Sequence, residues 1–139
     1  MRRALTVFHA LGLMLVVFSL TYVLPIATSL IYGDGTQIDF LLAMVMTFAV
    51  GLLLWILTRR YKGELSIRHG YLLVVGMWTT MPAVATLPLL LVLDDLSFTD
   101  AYFETMSGIT TTGATVLVGL DSMPPASDTL AFLRRLVVL

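Results

Sequence analysis

The sequence predicts an all-α integral membrane protein, and three observations lead to that prediction. Of its 139 residues, 58% are hydrophobic and only 12% are charged, a balance that a soluble domain of this size does not need. The apolar residues are collected in three long runs, residues 4–31, 40–57 and 71–93. Each run approaches or exceeds the roughly 20 helical residues that cross a hydrocarbon core of about 30 Å.

The first run is interpreted as a retained transmembrane helix. Arg2 and Arg3 precede it, as in a secretory signal, but the run is too long and no convincing small-residue cleavage site follows. Pro25 is expected to kink or end this helix near its far face, because proline cannot donate a helical hydrogen bond.

The third run contains Pro82 and Pro88, which are expected to kink or shorten its helix. Gly76 in the same run is a candidate for a close helix contact. Neighbouring threonines offer hydroxyl groups to the carbonyls that the prolines leave without a partner. These threonines are Thr79, Thr80 and Thr86.

The distribution of charge predicts the orientation in the membrane. Lysine and arginine occur before the first run and between the second and third runs, at Arg2, Arg3, Arg59, Arg60, Lys62 and Arg68. The other two connections carry aspartates and no basic residue. By the positive-inside rule, the N-terminus is cytoplasmic and the segment that starts at Ser97 enters from the outer side.

That segment is predicted to begin with a short helix. Ser97 and Asp100 have the spacing of a capping box, and aromatic or apolar residues recur every three to four positions behind them. A helix over residues 99–109 is about 16 Å long, which is half of a hydrocarbon core. The sequence therefore predicts a re-entrant half-helix.

A run of threonines follows the half-helix, and it is expected to end it. Thr110, Thr111 and Thr112 are β-branched and favour extended backbone, while Gly113 adopts positive φ at little cost. We expect residues 110–116 to return outward in an extended conformation. A further helix is expected over residues 129–139.

This arrangement suits a cation for two physical reasons. The C-terminal end of a helix carries about half a negative charge and here points toward the membrane centre. Backbone carbonyls, with threonine hydroxyls nearby, can replace the hydration shell of an alkali ion. The alternative is that the threonines are ordinary helix-interface residues that hydrogen-bond to the preceding turn.

At these residues a family resemblance appears. The motif Phe103-Glu104-x-x-Ser107-Gly108-x-Thr110-Thr111-Thr112-Gly113-Ala114-Thr115-Val116 resembles the first pore loop of the Trk-type potassium uptake proteins. Further matching motifs are Tyr32-x-Asp34-Gly35, Arg59-Arg60-x-Lys62-x-Glu64-Leu65 and Gly119-Leu120-Asp121-x-x-Pro124.

The resemblance implies a potassium-channel-like fold in which two preliminary helices precede four helix, pore-loop, helix repeats. Residues 1–70 would then be the preliminary helices with their basic cytoplasmic loop, and residues 71–139 a truncated first repeat. It also implies that potassium is the transported ion and that no organic cofactor is needed. The carbonyls of Thr111 and Thr112 would chiefly coordinate the ion, with Thr110 and Gly113 completing the filter.

Partners and location are likewise implied by the resemblance. Family members work as dimers in the bacterial inner membrane, with a cytoplasmic nucleotide-binding regulatory subunit. Membrane lipid and the remaining pore repeats would surround this segment. The sequence stops at Leu139, so we expect a truncated chain that supplies one of four filter segments; the alternatives are a self-assembling mini-channel, a non-conducting membrane fragment or a helical scaffold for another membrane protein.

Other functional classes have little support in the sequence. A negative net charge of -1 argues against a nucleic-acid partner, and no nucleophile and base or metal-ligand spacing suggests an enzyme. His9 and His69 are interpreted as packing or interface residues. Glu104 has two open interpretations, a structural hydrogen-bonding role or direct attraction of cations.

Overall fold

The computed structural model describes residues 2–33, 35–60, 66–93 and 96–117. Within these ranges the chain forms five α-helices and one short 3₁₀ helix, and no strand. The helices are α1 (Arg2–Ser19), the 3₁₀ helix (Leu20–Tyr22), α2 (Val23–Tyr32), α3 (Gln37–Thr58), α4 (Ile67–Val92) and α5 (Phe98–Ile109). The predicted all-α class is confirmed. The helix expected over residues 129–139 lies outside the described residues.

Three stretches of the described chain are long and apolar enough to cross a membrane: Leu5–Tyr32, Gln37–Thr58 and Ile67–Val92. The third begins at Ile67, earlier than the apolar run at Tyr71 indicates. Ser66 explains the earlier start, because its carbonyl accepts hydrogen bonds from the N–H groups of His69 at 2.9 Å and Gly70 at 3.0 Å. The Ser66 hydroxyl also lies 2.6 Å from Nδ1 of His69. The polar residues Ser66 and His69 therefore define the start of this helix, ahead of the apolar run.

The first span is interrupted just before Pro25. Proline has no N–H to donate to the carbonyl of Thr21, and its ring crowds that carbonyl. The backbone tightens into the 3₁₀ helix at this point and then resumes as α2, which continues to Tyr32. Pro25 therefore interrupts the span and does not end it. Gly33 in the left-handed conformation, at φ 67°, ends α2.

Helix α4 continues through Pro82 and Pro88. Pro88 cannot donate to the carbonyl of Val84, and the hydroxyl of Tyr22 donates to that carbonyl at 2.9 Å. The side chain of Tyr22 is only 2% exposed. A distant tyrosine, not a neighbouring threonine, thus supplies a donor to this carbonyl.

The threonines near the two prolines bond elsewhere. Thr80 donates to the carbonyl of Gly76 at 2.6 Å, and Thr86 donates to that of Ala83 at 2.6 Å. Thr79 donates to the carbonyls of Val75 and Gly76. These bonds go to carbonyls other than those of Trp78 and Val84, which the prolines leave without a helical donor.

The chain divides into two compact units, and the first comprises Met1–Thr21 and Met44–Met81. In this unit α1 and α3 approach each other closely at two glycines. A Cβ added at Gly12 would lie 2.7 Å from the backbone N of Trp55 and 2.8 Å from the carbonyl oxygen of Gly51. The absence of side chains at Gly12 and Gly51 permits this contact, as small residues do between membrane helices.

The second unit comprises Tyr22–Ala43 and Pro82–Leu139. Within it, α5 contacts the C-terminal part of α4 through small and polar side chains. Ala101 is fully buried. Thr105 is buried as well, and its hydroxyl donates to the carbonyls of Pro82 at 3.1 Å and Ala101 at 3.0 Å. This bond to Pro82 fixes the half-helix to the neighbouring transmembrane helix.

Candidate functional site

The half-helix α5 has twelve residues and is therefore about 18 Å long, too short to cross a core of about 30 Å. Ser97 is its N-cap, with φ −70° and ψ 152°. The Ser97 hydroxyl accepts a hydrogen bond from the N–H of Asp100 at 3.1 Å and donates to Oδ2 of Asp100 at 2.7 Å. The side chains of Ser97 and Asp100 thus bond to each other, and a single serine hydroxyl caps the helix.

The C-terminal end of α5 has the hydrogen bonds of a Schellman motif. The N–H of Thr112 donates to the carbonyl of Ser107 at 3.0 Å, and that of Thr111 donates to the carbonyl of Gly108 at 3.2 Å. Thr111, the first residue past the C-cap, has the left-handed conformation, at φ 57°. Glycine is the usual residue at that position, and a β-branched residue there is an outlier.

The conformation of Thr110 and Thr111 corrects one expectation from the sequence. Thr110 keeps right-handed helical backbone, at φ −82° and ψ 0°, and Thr111 is left-handed, so neither residue is extended. The irregular segment that leads away from the helix is residues 112–117, which we call the return segment. Capping bonds from the N–H groups of Thr111 and Thr112 outweigh the extended preference of threonine at this position.

Gly113 has φ 78°, the conformation that glycine adopts without steric cost. The turn therefore contains two left-handed residues, Thr111 and Gly113, separated by Thr112. A left-handed threonine costs of order 1–3 kcal/mol, and such strain persists only where the surrounding structure fixes it. Backbone strain of this kind is typical of functional loops.

Two side chains of α5 bond to the return segment. Ser107 donates from its hydroxyl to the carbonyl of Ala114 at 2.6 Å. Oε2 of Glu104 accepts hydrogen bonds from the hydroxyl of Thr115 at 2.9 Å and from the N–H of Val116 at 3.2 Å. These bonds supply polar partners to backbone that has no regular secondary structure.

The predicted filter residues lie together at the end of α5. Thr110 donates to the carbonyl of Met106 at 2.7 Å, and its hydroxyl lies 2.8 Å from that of Thr112. Thr111 and Thr112 are exposed, whereas Thr110 and Gly113 are half-buried. The N–H groups of Thr110, Thr111 and Thr112 all point back to the helix.

The sequence interpretation missed the roles of Thr105 and Ser107, and it left that of Glu104 open. A signal was available, since Glu104 and Ser107 are three residues apart and share one face of a short helix. Asp94, Asp95 and Asp121 lie outside the described residues. In the part of the chain that is described, no group of three or more His, Cys, Asp or Glu residues is placed to hold a metal ion.

Long apolar helices and a short helix that ends in a strained, side-chain-bonded turn define a helical membrane protein with a pore-loop-like segment. A family model described as "TrkH: Cation transport protein" matches residues 36–137. The chain belongs to this TrkH family of cation transport proteins, which confirms the resemblance drawn from the sequence.

Individual relatives agree with the family model. The Trk system potassium uptake proteins TrkH of Salmonella typhimurium and of Escherichia coli K12 are 46% and 45% identical to this chain over 125 residues. The crystal structure of the potassium transporter TrkH from Vibrio parahaemolyticus matches with a TM-score of 0.83 and 39% identity over 94% of this chain. The chain covers 26% of each of the two relatives and 28% of that crystallised chain, so it spans about a quarter of their length.

Proposed function

We propose that this chain is part of the membrane subunit of a Trk-type potassium uptake protein and that it supplies one of four selectivity-filter segments. The observation that carries the proposal is the turn after α5, where left-handed Thr111 and Gly113 flank Thr112 at the end of a helix too short to span. The names of the relatives support potassium as the transported ion. No organic cofactor enters this proposal.

In this proposal the carbonyls of Thr111 and Thr112 chiefly coordinate the ion, and Thr110 and Gly113 complete the site. The partial negative charge at the C-terminal end of α5 favours a cation there. The N–H groups of Thr111 and Thr112 donate to the carbonyls of α5. The carbonyl oxygens of these two residues are therefore the backbone groups that are left to contact an ion. Carbonyl oxygens replace the hydration shell of potassium without trapping it as a full charge would.

The proposal extends to the rest of the assembly, and the family resemblance supports it. Residues 1–70 form two preliminary helices and residues 71–139 the first repeat, and further repeats complete the pathway. The protein lies in the bacterial inner membrane with its N-terminus in the cytoplasm, because the basic residues of the sequence flank that side. It works as a homodimer surrounded by lipid, together with a cytoplasmic nucleotide-binding regulatory subunit.

The experiment uses a full-length carrier. This chain replaces the quarter of Escherichia coli TrkH that it matches, and the product, called the TrkH chimera, is expressed in cells that lack other potassium uptake systems. The unsubstituted TrkH chimera supports growth at low potassium. Gly113→Ser and Gly113→Asp abolish or strongly lower potassium uptake at equal membrane level, because a side chain at φ 78° strains the turn.

Gly108→Ala is the matched control, since a Cβ added at Gly108 meets no atom within 4 Å, and its uptake stays near that of the unsubstituted chimera. Normal uptake by both Gly113 variants contradicts the filter assignment and favours a helical scaffold. A chimera that reaches the membrane but never takes up potassium contradicts the proposed function as a whole.

A further inference from the structure

Glu104 and Ser107 hold the return segment from one face of α5. Oε2 of Glu104 accepts from Thr115 at 2.9 Å and from the N–H of Val116 at 3.2 Å, and the Ser107 hydroxyl donates to Ala114 at 2.6 Å. Three consecutive residues after Gly113 are therefore bonded to the half-helix. We call Glu104 and Ser107 the filter brace.

Ser107 acts on both sides of Gly113. Its carbonyl accepts from the N–H of Thr112 at 3.0 Å, and its hydroxyl donates to the carbonyl of Ala114. Gly113 is the most conformationally permissive residue of the turn, and both of its chain neighbours are bonded to this one buried serine, which is 5% exposed. The path of the backbone through Gly113 is thus set by a residue outside the proposed filter residues.

Glu104 makes the stronger half of the filter brace. A carboxylate is a charge-assisted acceptor, and its hydrogen bonds are roughly twice as strong as those between neutral groups. A single oxygen serves both Thr115 and Val116, so it orients toward the return segment. Because this oxygen accepts two hydrogen bonds from the protein, Glu104 has a structural role, which differs from the attraction of cations at a pore mouth.

We propose that Glu104 is a positioning residue that sets ion selectivity, because it fixes the distance between the return segment and α5 and thereby the spacing of the carbonyls of Thr111 and Thr112. This inference rests on the proposed function. Selectivity between alkali ions depends on the number and placement of coordinating carbonyls. Loosening the return segment widens the permitted spacings and admits sodium along with potassium.

The test compares Glu104→Ala with Glu104→Gln in the TrkH chimera, with rubidium uptake as the measure of potassium transport and sodium uptake measured in parallel. Glu104→Ala loses the acceptor. It lowers the potassium-to-sodium ratio, which is the rate of rubidium uptake divided by that of sodium uptake, about tenfold. Glu104→Gln keeps an acceptor oxygen at the same reach and stays within about threefold of the unsubstituted chimera. The KM for potassium follows the same order: it changes strongly in Glu104→Ala and stays near the value of the unsubstituted chimera in Glu104→Gln.

A role in attracting cations gives a different pattern. Removal of the charge is then what matters, so Gln and Ala raise the KM equally and leave the potassium-to-sodium ratio unchanged; this result overturns the proposal. Ser107→Ala is the second variant of the filter brace, and it lowers the ratio even if Glu104→Ala fails to reach the membrane. Unchanged selectivity in Ser107→Ala contradicts the filter brace.

The Gly113 variants separate the two proposals. If Gly113→Ser loses uptake while Glu104→Ala retains full selectivity, the filter assignment stands and the positioning role fails. If Gly113→Ser takes up potassium normally, the filter assignment itself fails, whatever the Glu104 variants do.

Discussion

Two regions of this molecule bring backbone segments together by opposite means. In the first unit, α1 and α3 meet where side chains are missing, at Gly12 and Gly51. In the second unit, polar side chains bond to backbone that a helix does not satisfy: Tyr22 bonds to Val84, and Glu104 and Ser107 bond to the return segment. The difference follows from the backbone itself.

Regular helices satisfy their own N–H and C=O groups, so van der Waals contact is what remains to be gained when two of them meet in lipid. Interrupted or strained backbone leaves groups that need partners, and an unpaired buried group costs more than a bonded one returns. Added volume should therefore destabilise the α1–α3 contact, and removal of hydroxyl groups should destabilise the second unit. Three substitutions examine that contrast, in order of expected effect.

The largest effect is expected from Gly51→Ala. A Cβ at this position would lie 2.8 Å from the backbone N of Val16 and 2.9 Å from the carbonyl oxygen of Gly12. Both obstacles are backbone, so the helices have to move apart, which costs about 1–3 kcal/mol or more. We expect a clear drop in the temperature at which the detergent-solubilised TrkH chimera loses its monodisperse peak.

Gly70→Ala is the matched control, because a Cβ at Gly70 meets nothing within 4 Å. Alanine is also the better helix former, by up to about 1 kcal/mol, so this variant is as stable as the starting protein or more so. Equal melting of the Gly51 and Gly70 variants would contradict a close backbone contact between α1 and α3.

Tyr22→Phe is expected to have an intermediate effect. It keeps the ring but removes the hydroxyl that donates to Val84, leaving a half-buried carbonyl without this partner at a cost of about 1–3 kcal/mol. Thermal stability of the TrkH chimera is the measurement. Tyr71→Phe serves as the control, because that side chain is 71% exposed, and it should change little.

A second substitution sharpens the Tyr22 prediction. In a Pro88→Ala background residue 88 regains an N–H, which can donate to the carbonyl of Val84 as in an uninterrupted helix. The penalty for Tyr22→Phe should then fall by at least half. An undiminished penalty would show that the tyrosine acts through its packing and not through the carbonyl that proline leaves without a donor.

The sequence predicted best what depends on near neighbours. Local residue preferences are enough to predict three features: the Ser97 cap, the short helix behind it and positive φ at Gly113. Thr111 was harder, because residue preference favours extended backbone there. Hydrogen bonds at the helix end, which run back to Ser107 and Gly108, decide its conformation.

Most contacts between distant residues were not predicted from the sequence. Nothing local indicates that Tyr22 reaches Val84, since the two are 62 positions apart, or which glycines meet between helices. Gly76 was the glycine selected from the sequence for a close contact, and Leu11 does lie close to it, but the tighter approaches to backbone are at Gly12 and Gly51. A periodic apolar pattern shows that a helix is buried or lipid-facing but not which neighbour it meets.

Gly76→Ala is expected to have the smallest effect on thermal stability, and it tests whether contact with backbone or added volume alone limits helix packing. A Cβ there would lie 3.0 Å from Cδ1 of Leu11, so the obstacle is the end of a flexible side chain. Leucine can change rotamer where backbone cannot, and Gly76→Ala should cost less than about 1 kcal/mol in the same thermal assay. If it destabilises the protein as much as Gly51→Ala, then added volume alone, and not contact with backbone, governs helix packing in the first unit.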